Sequence, residues 1–479
     1  MKQFQLLLLS LFFAVSTVSL AQTTWYVNGA SGDNGNDGQS ESSAFATIYH
    51  AVDQSSDNDM IKVAAGTYTQ PNILIDKSIT IKGVDDDANA VIIQAQANEP
   101  DYIGTGAESN KRIISLGSSA EVTIKNMTLR YGNSTTAGGA IAVYAGQSIT
   151  IDHCNLLNCY SGANGGAIIS WGSINITNSC IANNVSGGLK GAAIFGQSSN
   201  DTQLNDITIN NSVIYNNSVT GSNKDQGAAI FSENADATKG TITMNSSTLA
   251  YTKIINPANN PMAVGIRFIK GKSLTLTNSI LFNSLENKWG TGLDIGGTDP
   301  QVFDIIEGRG INHHNIISNA YANAIGTDCI AGESATEAAI SFGTFTKGAN
   351  GVYTLPLLAG SVAIDAADAT TAVSTDILGT SRGSAPDMGS FEYTTATTIQ
   401  REAMEVSITP NPNNGAFKVK IANSDNSLLE VFALSGQKLY SSQLVAGTNS
   451  IVLPSDIKGI VLVKLIANGQ TCTRKMLIR

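Results

Sequence analysis

The sequence predicts an all-β chain: a right-handed parallel β-helix (a solenoid) with a short N-terminal capping helix, followed by a small C-terminal antiparallel β-sandwich. Three observations carry that prediction. An eight-residue phrase recurs six times between Val122 and Leu281. A second phrase, Gly-Gly-Ala-Ile or a relative of it, recurs in step with the first. Beyond residue 405 both repeats stop, and apolar residues alternate with polar ones between turn residues.

Copies of the first phrase begin at Val122, Ile149, Ile174, Ile207, Ile242 and Leu274, spaced 27, 25, 33, 35 and 32 residues apart. A unit of that length without a helical period marks a solenoid. Within each copy apolar residues alternate with Thr, Asn or charge, so one face of a short strand points inward. The fifth position holds Asn126, His153, Asn178, Asn211, Ser246 and Asn278. Asn tolerates the left-handed backbone of a tight bend, and its amide can bond to the coils above and below as a ladder. Five residues on stands a second column: Tyr131, Asn158, Asn183, Asn216, Tyr251 and Asn283. The Gly-Ala-Ile phrase lies at 138–141, 165–168, 191–194 and 227–230, with a looser form at 263–266. Each coil thus has three strands, two of them hinged at Asn. The intervals 217–226 and 254–261 are the long ones. Insertions in a solenoid gather on one side and often build the binding face. The expectation is a groove along the Gly-Ala-Ile sheet, walled by these loops.

The rest of the chain is assigned in order. Residues 1–21 read as a secretory signal peptide, with Lys2, an apolar run and the small residues Ser19 and Ala21 before Gln22. The β-helix takes 22–393. It opens with Phe45, Ile48 and Val52 at helical spacing, a short amphipathic helix that plugs the first coil. Strands at 60–68 and 78–83 follow. Asp33, Asp37, Asp85, Asp86 and Asp87 are candidate calcium ligands by type, but their spacing fits a solvated turn better; no cofactor is expected. A Thr/Ala-rich linker occupies 394–405, and the sandwich 406–479.

Composition narrows the partners. Charged residues are 14% of the chain, below the usual ~25%. Acidic residues outnumber basic ones 38 to 28. No basic cluster interleaves with aromatics, which argues against nucleic acid and anionic membrane. No further segment is apolar enough to span a bilayer in the mature chain. Cys154, Cys159, Cys180, Cys329 and Cys472 have no ligand spacing and are expected as mostly unpaired, buried thiols.

The opening pieces Phe45-Ala-Thr-Ile and Val63-Ala-Ala-Gly-Thr-Tyr resemble the first coils of secreted pectin-lyase-like β-helix proteins. Toward the end, Leu358-Ala-Gly-Ser-Val-Ala-Ile-Asp precedes Asp376-Ile-Leu-Gly-Thr-Ser-Arg and Asp387-Met-Gly-Ser-Phe-Glu-Tyr. That block resembles the end of choice-of-anchor β-helix proteins, which are surface proteins. It reads as a C-terminal cap, with Ile364 and Phe391 over the last coil and Asp365, Asp376, Arg382 and Asp387 in an ion-pair network. Residues 406–479, with Pro410-Asn-Pro-Asn-Asn-Gly and Leu434-Ser-Gly-Gln-Lys, resemble the sorting domain of the type IX secretion system. One departure is Ile460-Val after Gly459, where such domains usually carry an aromatic. The resemblance implies engagement with that machinery, export to the surface or medium, and removal of the tail afterwards.

Three function classes remain: a surface protein binding a polysaccharide or surface glycan, a polysaccharide lyase, and a hydrolase. A lyase needs a Lys or Arg base for the proton α to a uronate carboxylate, and a cation or calcium to neutralise that carboxylate. Of the cations in the repeats, Arg267 and Lys270 follow a Gly-Ala-Ile strand and are the groove candidates. A hydrolase needs convergent carboxylates. Asp152 with His153 sits at a ladder turn, where the His reads as a substitute for Asn. His313 and His314, with Asp304 and Glu307, fall where the repeat fades and show no third spaced metal ligand; no metal site is expected. The sequence favours binding without catalysis, and uronate lyase activity stands as the alternative.

Overall fold

The computed structural model describes residues 22–100, 110–117, 119–198, 205–221, 229–234, 238–254, 265–269, 271–282, 310–318, 326–331, 334–394, 407–409, 412–421, 427–433, 437–445, 447–467 and 470–479. The chain divides into two compact units, Met1–Tyr393 and Thr394–Arg479.

The first unit is a parallel β-helix, and its register is that of the repeat. Ile149 stands opposite both Val122 and Ile174, and Ile207 opposite Ile174 and Ile242. Leu274 continues the row to Gly310, adding a coil that the phrase no longer marks. Every described member of both bend columns adopts positive φ, from Asn126 at 55° to Asn278 at 52° and from Tyr131 at 59° to Tyr251 at 58°; His314, at 52°, extends the first column. Short strands such as Tyr160–Ser161 and Val185–Ser186 form a second parallel sheet. The Gly-Ala-Ile sheet runs through Ile73–Ile75, Ile114–Leu116, Ile141–Val143, Ile168–Ser170, Ile194–Ser198, Ile230–Asn234 and Ile266–Ile269. The first Gly of that phrase is needed for its backbone: Gly165 has φ +71°, and a Cβ there would stand 2.3 Å from the Ile168 carbonyl oxygen.

The polar ladder differs from the expected one. Asn211 Nδ2 does donate to Asn178 Oδ1 (2.8 Å) and Asn216 Nδ2 to Asn183 Oδ1 (2.7 Å). Elsewhere the bend Asn bonds diagonally, to the residue before the bend of the adjoining coil, as when Asn178 donates to Asp152 and Asn278 to Asn245. The continuous ladder is one residue further on and faces the core. There the N–H of Cys154 reaches Ser179 Oγ (3.0 Å), Ser179 reaches Ser212 (3.1 Å), Ser212 reaches Ser247 (3.1 Å) and Ser247 reaches Ser279 (3.2 Å). The N–H of Ser279 then reaches Asn315 Oδ1 at 2.8 Å. A bend turns this amide out of the sheet, and the side chain of the next coil replaces the lost carbonyl. A parallel rung follows the second bend: Cys159 N–H to Asn184 Oδ1 and Asn184 N–H to Asn217 Oδ1, both 2.9 Å. Asn184 is fully buried and also donates to the Leu156 carbonyl. Asn184→Ala is therefore expected to lose about 1–3 kcal/mol, because it orphans buried groups, and Asn211→Ala only about 0.5–1.5 kcal/mol. Urea unfolding of the two variants checks the order.

The capping helix is Ile48–Gln54, with Ile48, Ala51 and Val52 buried and Thr47 Oγ1 accepting from the His50 N–H. Phe45 precedes the helix: it bridges Val27 in parallel pairing, and its ring packs between Trp25 and His50. Of the weighed aspartates, Asp33 Oδ1 accepts from the Gly35 N–H, Asp37 Oδ1 from Gln39 and Asp87 Oδ1 from Asn89, as turn-forming side chains do.

Residues 334–393 do not plug the last coil, as the sequence reading had it. They run back along the outer face of the sheet that carries the repeats. The strap's hairpin Thr346–Lys347/Tyr353–Thr354 meets early coils, where Asn155 Nδ2 donates to the Gly351 carbonyl and Asn155 Oδ1 accepts from the Tyr353 N–H. Val352 and Ile377 bury Cys180, Ala182 and Val213, and Leu355, Leu357 and Met388 bury Ala250, Ile280, Phe282 and Ile316. The outward residues of these strands are apolar, so the sheet needs a lateral cover. Ile364 stays partly exposed outside this cluster, and Phe391 packs at its margin.

Among its described residues the second unit has two antiparallel sheets. One joins Ser407–Thr409, Ala416–Ile421 and Gly447–Val452; the other joins Lys438–Leu444, Ser427–Ala433, Gly459–Ala467 and Gln470–Ile478. Phe417, Val419, Leu429, Val431, Val463 and Met476 are buried in a single core, as in a sandwich.

Candidate functional site

Along each Gly-Ala-Ile strand the first Ile enters the solenoid core and the next residue faces out. The outward residues Ala142, Ile169, Phe195 and Phe231 form an apolar cluster of their own, joined at its edge by Trp171 and Ile269. Register places Arg267 next in that column, beside Phe231. Its guanidinium lies 5.0 Å from the Phe231 ring centroid, and the residue is 9% exposed. Lys270, the other groove candidate, lies outside the described residues, as does most of the two loops expected to wall the groove.

Lys190 precedes its strand rather than following it, yet it reaches this face. Its Nζ stands 5.1 Å from the Phe231 centroid and 5.9 Å from that of Phe195, and pairs with Glu233 Oε2 at 2.6 Å. A second outward column holds Trp171, Gln197, Glu233 and Ile269. Tyr144 and Trp171 stack with centroids 5.6 Å apart and planes within 2°, and Tyr144 is 43% exposed. Close by, Arg112 donates to the carbonyls of Ala137 (2.7 Å) and Gly138 (2.9 Å) and to Ser115 Oγ (3.1 Å). This face therefore offers aromatic surface, amide and mixed charge, with Arg112 and Lys190 each held by protein acceptors.

The Asp152–His153 pair lies on the repeat sheet, away from that face. His153 takes the left-handed bend as the Asn substitute it was read to be. Asp152 accepts from His153 Nδ1 (2.7 Å), Asn178 Nδ2 (2.9 Å) and Lys125 Nζ (2.5 Å). Burial opposes its charge, but the bonds from His153, Lys125 and Asn178 outweigh burial and hold the carboxyl well below the usual carboxylate range. The unfolded chain then binds the proton more readily. Stability from Asp152 is full above the ordinary carboxylate value, about 4, and fades as pH falls through the lower folded value. Asp152→Asn is expected to lose about 1–3 kcal/mol at neutral pH and clearly less at pH 3, read by urea unfolding at both.

Of the other cluster, Asp304 and Glu307 lie outside the described residues. His313 ends the strand Gly310–His313, His314 takes the bend, and Asp368 of the strap comes beside them. The expected ion-pair network at the chain's exit is chiefly one pair, the expected Arg382 with Glu392, a residue outside the expected set. Arg382 Nη1 meets Glu392 Oε2 at 3.2 Å. The predicted aspartates bond backbone amides instead: Asp387 Oδ1 accepts from Asp365 N–H (2.8 Å) and Asp376 Oδ1 from Leu378 (2.9 Å) and Thr380 (2.7 Å). Asp365 contributes through its N–H, its own side chain being exposed at a left-handed bend.

Residues 407–479 match the family described as Secretion system C-terminal sorting domain. The chain is similar to the crystal structure of pectate lyase Pel9A, at 14% identity over 78% of this chain and 96% of that one, with a TM-score of 0.36. It is also similar to a rhamnogalacturonan lyase, at 12% identity over 69% of this chain and 95% of that one, with a TM-score of 0.29. A search of curated proteins gave no match. The tail is a sorting domain of the type IX kind, and the chain is a secreted protein. No helix among the described residues is long and apolar enough to cross a membrane.

Proposed function

We propose that the secreted β-helix binds a polysaccharide along the outer face of its Gly-Ala-Ile sheet, as a surface or adhesive protein. The observation that carries this reading is the partly exposed Tyr144–Trp171 stack, on the same face as Gln197, Glu233 and Lys190. Aromatic rings offer apolar area with little entropy to lose, and sugar rings present C–H faces to them; amide and charged side chains then take the hydroxyls. The repeat spaces such groups along one direction, which suits a linear polymer. A catalytic reading is weaker because Lys190 is held by Glu233 and Arg112 by backbone carbonyls, leaving neither placed as a base.

A second reading, a lyase acting on uronate polymers, is favoured by one observation: Lys190 and Arg267 approach the same Phe231 ring. One experiment separates the two. The purified protein is run on a glycan array and incubated with uronate polymers while unsaturated product is followed in the ultraviolet. Binding weakened about tenfold or more in Trp171→Ala, with no product absorbance, supports the binding reading. Product that disappears in Arg267→Ala overturns it in favour of a lyase.

A further inference from the structure

We infer that His313, His314 and Asp368 form a divalent-metal site, of a kind suited to zinc, which clasps the strap to the solenoid. One ligand atom from each of the three lies within 4.8 Å of the others. The two Nδ1 atoms are 3.2 Å apart. Two zinc–nitrogen bonds of about 2.0–2.1 Å at the tetrahedral angle put their nitrogens about 3.3 Å apart. The imidazole pair therefore already stands at the spacing of one edge of such a site, and the rings are set at 89° to each other. The Asp368 carboxylate is within reach of the same site, with one of its oxygens no more than 4.8 Å from a ring nitrogen of each histidine.

Backbone geometry explains the convergence. Neighbours in a plain strand point to opposite faces. Here the left-handed bend at His314, φ 52°, follows the strand ending at His313 and brings both rings to one side. Asp368 is fixed from two directions. Its N–H donates to Asn278 Oδ1 at 2.7 Å, and its carboxylate accepts from the Thr370 N–H and hydroxyl and from the Thr371 hydroxyl. Carboxylate ligands are commonly oriented by such outer bonds. All three residues are partly exposed, so an ion has an entry path and a water can complete the coordination. Two borderline nitrogens and one hard oxygen favour zinc over calcium or magnesium.

The test is calorimetric titration of the full chain, without a histidine tag, with zinc sulfate, and cobalt(II) titration followed in the visible. The expected result is saturable binding of one equivalent and a cobalt band of four-coordinate intensity. Affinity should drop tenfold or more in Asp368→Ala and in His313→Ala, and remain unchanged in His153→Ala. Zinc should raise the unfolding temperature of the wild type and not of Asp368→Ala. Absence of saturable binding by the wild type overturns the inference. So does wild-type affinity in Asp368→Ala, which would leave a bare histidine pair with no part for the strap. The wild-type cobalt spectrum decides the matter even if a variant fails to fold.

Discussion

Arg382→Ala is expected to lose about 3–5 kcal/mol of stability, the largest effect of any single substitution considered. The Arg382 side chain is 1% exposed and that of Glu392 8%. Beyond the ion pair, its Nη1 donates to the Asp387 carbonyl (2.8 Å) and its Nη2 to that of Gly389 (2.7 Å). Burial pulls the guanidinium below its ordinary value, and the charges of Glu392, Asp376 and Asp387 pull the other way. Removing the arginine leaves the Glu392 carboxylate buried without its counter-ion and orphans the Asp387 and Gly389 carbonyls. Burial already pushes the Glu392 carboxyl above its usual value, and the variant would push it further. Pairing Arg382→Met with Glu392→Gln should recover much of the loss, since neither charge is then stranded. Urea unfolding of the single and double variants measures both, and a single-variant loss below about 1 kcal/mol would contradict the buried pair.

Ile214→Ala is expected to lose about 2–5 kcal/mol. Ile214 is 1% exposed in the solenoid core and sits in register between Ile181 and Leu249 of adjoining coils. Stacked coils hold each side chain from above and below, so the cavity has little room to collapse. Val452, 70% exposed in the tail, is the control: its Ala variant should stay within about 0.5 kcal/mol of wild type. Thermal and urea unfolding of the two variants give the comparison.

What the sequence made legible was whatever repeats. Ile149, Ile174 and Ile207 could be placed opposite one another because the phrase carries its own register, and the left-handed bends follow from Asn at a fixed position. The inward Ser was equally visible, in the Asn-Ser pair of the phrase, yet the Asn drew the attribution. Contacts made once and over long separations had no such signal. Asn155 meets Gly351 across 196 residues and Arg382 meets Asn211 across 171. Nothing periodic announces the strap, and an end cap was the nearest inference from Ile364 and Phe391. Asp368 has no signal for the same reason: it comes beside His313 and His314 from the strap, far along the sequence. Lys190 escaped because its reach depends on a side chain leaving a turn, which spacing along the chain does not encode.

The cysteines have a consequence of their own. Cys154 opens the inward column: its N–H donates to Ser179 Oγ (3.0 Å) and its Sγ to the Asp152 carbonyl (3.3 Å). Burial pushes the Cys154 thiol up to about 12, so it stays neutral and a weak donor. Hydroxyl oxygens continue the row that this cysteine begins. Coils lie on either side of Cys154, so an oxidant that reached its sulfur would loosen the cylinder from within rather than from an end.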